Sequence, residues 1–334
     1  MKNYLFYFVG LVIIFANSCK NNNFRDEEYV QIPDFNFPKS IKFKESLSEY
    51  KIFESLLSDL VPSKEFHLLE LSSSLFTDYA HKQRLVKLPS GTKMEKLDDG
   101  SIEFPNGTIL TKTFFYYNDE RDKSLGKRII ETRLEIKEND IWNVATYIWN
   151  KHQTDATIET NGLETKISWI SNNGTTHSTN YQVPTENQCI TCHQSNSKMT
   201  PLGPTLRNLN LTVNRNNSNL NQIDYLQSVG ILNEFDISQI DHIVDYKNTD
   251  ASLTERSRAY LDMNCAHCHN PTGWDKSTQR PFDFRYETPL EQTGISRKKE
   301  KVVNTMMRGK MPFIGTTMLD ERGIELLLEF TESL

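Results

Sequence analysis

Between residues 130 and 137 uncharged and charged residues alternate one by one. Ile130, Thr132, Leu134 and Ile136 fall on one face, and Glu131, Arg133, Glu135 and Lys137 on the other. That period predicts a half-buried antiparallel strand. Four more stretches, 84–88, 108–117, 142–149 and 166–170, are rich in β-branched and aromatic residues. The turn pairs Asn106-Gly107, Asn161-Gly162 and Asn173-Gly174 punctuate them. A β-sandwich or curled sheet is the expectation for this region.

Helical signals lie on either side. Ser46-Leu47-Ser48-Glu49 is a capping-box pattern, and Phe53, Leu56, Leu57 and Leu60 follow at helical spacing, which predicts an amphipathic helix ended near Pro62. Residues 208–222 hold seven Asn and read as loop, and Ile223, Leu226 and Ile231 with Gly230 mark a short helix. Ser252 to Glu255 is a second capping box, opening a helix to about Met263. Asp320 caps a last helix whose stripe is Ile324, Leu327, Leu328 and Phe330.

The N-terminus carries another kind of pattern. Residues 4–15 are almost unbroken in apolar side chains and end in Ala16-Asn17-Ser18-Cys19. The run is too short to span a bilayer and reads as a secretory signal. It resembles a lipoprotein signal in which Cys19 is acylated, although Ala16 stands where Leu is usual; a plain cleaved signal is the alternative. Residues 20–40 are polar, with Pro33 and Pro38, and fit a linker.

The remaining four of the five cysteines form two C-x-x-C-H sites: Cys189, Cys192 and His193, then Cys265, Cys268 and His269. This is the attachment signature of a c-type haem, in which two thiols bond the porphyrin and the imidazole ligates its iron. With 8 His in 334 residues, two such sites by chance have odds of roughly one in two thousand. Chance is a poor explanation. A zinc ribbon also uses paired C-x-x-C, but 72 residues separate Cys192 from Cys265, against roughly 15–20 in a ribbon. Zinc also gives no reason for a trailing His at both sites. The expected cofactors are therefore two covalently attached haem c groups with iron. Attachment of this kind takes place outside the cytoplasm, in agreement with the signal segment.

Sixth ligands are less marked. Met199 follows the first site closely and either ligates or packs, with His242 as another candidate; Arg207 either pairs with a haem propionate or is exposed. Met311 lies 42 residues past His269, in Arg308-Gly309-Lys310-Met311-Pro312, and resembles the distal Met loop of cytochrome c, with Met306 and Met307 as substitutes. His267, between the two thiols, reads as a spectator. The strand-region aromatics read as core, with a ligand-binding face as the alternative.

Taken together, the chain resembles a family of bacterial di-haem c-type cytochromes that have a β-rich N-terminal region and two C-terminal attachment sites. The matching stretches include Leu75-Phe76-Thr77-Asp78-Tyr79-Ala80, Tyr147-Ile148-Trp149-Asn150, Gln182 to Cys189, Pro201-Leu202-Gly203-Pro204 with Arg207-Asn208-Leu209-Asn210, and Tyr260 to Pro271. The stretch 281–306 is short and lacks a Gly-rich segment, so the distal-ligand loop is expected to differ. The resemblance implies haem binding and electron transfer.

The expected fold is α+β: a β-rich, sandwich-like N-terminal domain followed by two small all-α cytochrome c-like haem domains. The expected division is signal peptide 1–19, linker 20–40, helix plus β-rich domain 41–183, haem-1 region 184–250 and haem-2 domain 251–334. A formal charge of −6 and pI near 5.8 exclude a nucleic-acid footprint and suit a basic redox partner. The function expected is extracytoplasmic electron transfer from a dehydrogenase or other donor to an acceptor, by a protein lipid-anchored on the periplasmic side, at the outer membrane. An enzyme reading, a di-haem peroxidase or oxidase with the first haem open, is the alternative. The β region could also bind a protein or glycan.

Overall fold

The computed structural model describes residues 40–196, 198–273 and 281–334. The expected signal segment, Cys19 and the linker up to residue 39 lie outside the described residues. Strands β1 (His67–Leu68) and β2 (His81–Lys87) precede a small hairpin of β3 (Glu95–Lys96) and β4 (Ile102–Glu103). Then come β5 (Ile109–Tyr117), β6 (Lys127–Glu138), β7 (Ile141–Trp149) and β8 (Ala156–Glu159). Apart from the small hairpin these form one antiparallel sheet in the order β1-β2-β5-β6-β7-β8. Asn139 and Asp140 turn β6 into β7 with φ of 52° and 61°, the type I′ geometry that suits a two-residue hairpin. β9 (Leu163–Ile170) and β10 (Thr176–Val183) pair with each other alone.

One face of the sheet packs Leu85, Ile129, Leu134 and Tyr147 against Leu47, Ile52 and Leu60 from the N-terminal segment. The predicted helix over 46–62 is absent. The capping box closes one 3-10 turn, Leu47–Tyr50, and Lys51 at φ 52° ends it; a second such turn is Leu57–Asp59. Phe53 instead bridges Pro62, and Leu56 is left 69% exposed.

The other face was expected to meet water, and it is covered. Glu131 is fully buried, clasped by Arg133 through contacts of 2.9 and 2.6 Å and by the Tyr181 hydroxyl of β10, which donates at 2.6 Å. Further along, Val86, Leu110 and Trp142 pack on Met199, Leu206, Ile223 and Leu226 from the chain's second half.

That second half is not the pair of small all-α cytochrome domains the sequence suggested. Six α-helices occur among the described residues, in a β-rich molecule dominated by its antiparallel sheet: α1 (Glu186–His193), α2 (Leu206–Leu209), α3 (Gln222–Ser228), α4 (Leu253–Asn264), α5 (Ile295–Met307) and α6 (Glu321–Ser333). The first three have 8, 4 and 7 residues, too short to close a core among themselves, and they are completed by the sheet. Between them run the hairpins β11 (Gln194–Ser195) with β12 (Lys198–Met199), and β13 (Thr212–Arg215) with β14 (Ser218–Asn221). The second hairpin occupies the Asn-rich stretch read as loop, because Asn216 and Asn217 take φ of 52° and 63° and make a type I′ turn. Helices α4 to α6 share a core of Tyr260, Leu261, Ile295, Val303, Leu327 and Phe330. No helix of the described residues is long and apolar enough to cross a membrane.

A buried carboxylate stitches the last segment to the β region. Asp78 accepts from the backbone N–H groups of Thr317 (2.8 Å) and Met318 (2.9 Å) and from the Thr317 hydroxyl (2.6 Å). Asp78→Ala strands those donors. It is expected to lower stability by about 3 kcal/mol in chemical denaturation, with Asp78→Asn losing less; an unchanged midpoint would show that the seam carries no load.

Candidate functional site

Helix α1 is started by Thr185, whose capping box is closed by Gln188, and it lies against β7. Cys189 is thereby buried beside Thr146, and burial pushes its thiol up to about 11. His193 stands in the last turn of α1. The β11–β12 hairpin brings the chain back so that Thr200 N–H donates to the His193 carbonyl at 2.8 Å. The Thr200 carbonyl in turn meets His193 Nδ1 at 3.0 Å. A carbonyl only accepts, so Nδ1 carries the proton and Nε2 keeps its lone pair. Burial, then Lys112, pushes this imidazole down to about 3, so it is neutral at physiological pH. A neutral ring with one N–H fixed on a carbonyl is the form that ligates metal.

The second motif follows α4. Asn264 ends that helix, accepting from Phe76 N–H at 2.7 Å and donating to the Tyr260 carbonyl at 3.1 Å. One further turn is held by His269 N–H donating to the Cys265 carbonyl at 2.8 Å. Burial, with Asp320 adding to it, pushes the Cys265 thiol up to about 12. The His269 ring meets the rings of Phe282 and Phe284 at 5.7 and 5.8 Å. A recess of about 230 Å³ opens here, lined by Cys265, Cys268, His269, Phe282, Phe284, Met306 and Met311. That is just under the roughly 300–1,000 Å³ usual for small-molecule sites.

The two motifs meet. The sulfur atoms of Cys192 and Cys268 and a ring nitrogen of His267 all lie within 4.8 Å of one another. Ser195 and Thr272 join their hydroxyls at 3.0 Å beside them. The hydrogen bond with Cys268 holds the Cys192 thiol well below its ordinary range, and His267 adds to this against the opposing effect of burial. His267, read from the sequence as a spectator, is thus part of the junction.

The other candidate residues lie away from both motifs' thiols or are packed. Met199 is buried in the cluster with Leu206 and Trp142. Arg207 donates to Glu287 at 3.0 Å and Asp262 at 3.5 Å, and lies over the Tyr286 ring. His242 is exposed. The Thr200 carbonyl, which orients His193, had no signal in the sequence because any residue supplies a carbonyl.

No family model, curated protein or solved structure matches this chain. The chemistry has to come from the residues themselves. At the second motif two thiols, an imidazole and a thioether beside apolar walls are the donor types an iron porphyrin takes. The first offers two thiols and an oriented imidazole. Zinc has three donors at the junction, one short of the usual four.

The thiol environments predict an order of reaction. In full chain produced without export, iodoacetamide at pH 7 is expected to label Cys192 well before Cys189 or Cys265, because only the thiolate reacts. Peptide mass spectrometry reads the order, and equal labelling of all three would contradict the junction.

Proposed function

We propose that this chain is an exported di-haem c-type cytochrome that passes single electrons between protein partners. The observation that carries the reading is the apolar recess where Cys265, Cys268, His269 and Met311 converge. When bound, haem supplies one-electron iron chemistry at a potential set by its axial ligands and surroundings. The chain's own residues attach, ligate and insulate. Cys189 and Cys192 would hold the first group and Cys265 and Cys268 the second, with His193 and His269 as the nitrogen donors. Met311, 36% exposed at the recess, is the sulfur offered to the second iron. Phe282 and Phe284 set their rings edge-on to the His269 imidazole. The approach of Cys192 to Cys268 supports close passage of electrons between the two groups. Acylation at Cys19 would hold the protein on the periplasmic side of the outer membrane, where its net negative charge favours basic redox partners.

The junction of Cys192, His267 and Cys268 favours a second reading, a thiolate metal centre. It leaves Cys189, His193, Cys265, His269 and Met311 without a part.

Protein matured through its export pathway decides between them. Two haems are expected to remain on the chain in a denaturing gel and in its mass, and Cys265→Ser with Cys268→Ser should remove one. A colourless chain overturns the proposal, and a haem-free chain holding one zinc establishes the second reading. High-spin ferric spectra with steady hydrogen peroxide consumption would make the protein an enzyme instead.

Met311→Ala should keep both haems yet abolish the sulfur-to-iron band at the red end of the visible spectrum. A persisting band assigns the ligand elsewhere.

A further inference from the structure

Strand β1 pairs with β2 only at Leu85 and Val86, so the start of β2 is an edge of the sheet, and the segment 69–80 passes beside it. A cleft of about 590 Å³ lies between that edge, Tyr246 with Lys247, and the start of α6. Its volume falls within the roughly 300–1,000 Å³ usual for small-molecule sites. Its walls hold no cysteine or histidine of either C-x-x-C-H motif, so it is a site apart from them.

Four cations line the cleft against two acids, which leaves a surplus of positive charge. Lys82 and Arg84 leave the same face of β2 and are half-buried, and Lys247 and Arg322 are exposed at the rim. Of the acids, Glu70 pairs with Arg215 at 2.6 Å, and Asp320 caps α6 by accepting from Gly323 N–H at 3.0 Å.

The inner cations are short of partners. The guanidinium of Arg84 makes no hydrogen bond or ion pair with any described residue, and its Nε is buried without a partner. Burial pulls that group down to about 10, which leaves it charged at neutral pH. Lys82 uses one N–H on the Leu75 carbonyl at 2.8 Å; burial, and then Arg84, hold its ammonium well below the ordinary range. Thr77, 5% exposed on the same walls, has a buried hydroxyl with no partner either. Unpaired charge and orphaned donors in a half-enclosed space are costly, and an oxyanion meets both needs. Leu69, Leu71, Leu75 and Phe76 supply apolar surface beside them.

We propose that this cleft binds a small organic anion, with its carboxylate or phosphate group on Arg84 and Lys82 and its carbon skeleton against the leucines and Phe76. The inference goes beyond the haem reading and does not depend on it.

The test titrates the full mature chain by calorimetry, at fixed ionic strength, with phenyl phosphate and with benzoate. One molecule of at least one probe is expected to bind saturably, and the tighter of the two assigns the head group. Arg84→Gln should weaken that binding about tenfold or more, the loss of one charge-assisted contact. Arg84→Lys should recover part of it, and Lys87→Gln, on the opposite face of β2, should change nothing. Should Arg84→Gln fail to accumulate, Arg322→Gln at the exposed rim is expected to weaken binding severalfold. The proposal is overturned if neither probe saturates, or if Arg84→Gln and Arg322→Gln bind as the wild type does. Equal weakening in Lys87→Gln would also overturn it, because net charge and not this cleft would then hold the probe.

Discussion

Strand β6 presents Glu131, Arg133, Glu135 and Lys137 on a face that the fold buries, and charge taken out of water is costly unless each group finds a partner. Much of the architecture answers to that. Glu131 and Arg133 clasp each other and draw in Tyr181, and Lys137 reaches Glu103 and the Phe104 carbonyl. The helices that cover this face are short because the sheet supplies the other side of their core. Covering the face puts α1 on β7 and fixes where the first C-x-x-C-H motif lies.

The second motif is brought to it by side-chain clamps on one extended segment. Asn208 accepts from Ser73 N–H at 2.9 Å and donates back to the Ser73 carbonyl at 3.1 Å, and Asn264 accepts from Phe76. The segment 72–78 therefore ties α2, the end of α4 and the loop before α6 to a common edge. A stretch with almost no regular structure of its own decides how the helical part is seated.

What the sequence revealed follows from how local each signal is. The alternation in β6 named the strand and set Leu134 apart from Glu131 and Arg133, but a β-bulge opposite Phe114 and Phe115 turns Ile130 into the cluster with Tyr181 and leaves Ile129 beside Leu134. The pattern could not say that the polar face would be covered, since alternation reports contrast between faces and not exposure. The capping box at Ser46 was real, but Lys51 in the left-handed region ended its helix after one turn. The Asn pair at 216 and 217 makes a turn, which a count of asparagines does not reveal. The two C-x-x-C-H spacings were legible because each lies within five consecutive residues. Their meeting at Cys192 and Cys268 was not, because it depends on the whole sheet. The expectation of two separate helical units failed for the same reason.

The burial of Cys189 bears on how such a protein is made. Its sulfur lies between α1 and the sheet, at a recess of only about 30 Å³, and Cys192 and Cys268 face each other across a few ångströms. On the proposed reading, cofactor insertion has to come first and closure of the sheet second. A newly exported chain that folds too early would shut out its own pigment. In an oxidising compartment it would also be open to cross-linking between two sulfurs meant for different partners.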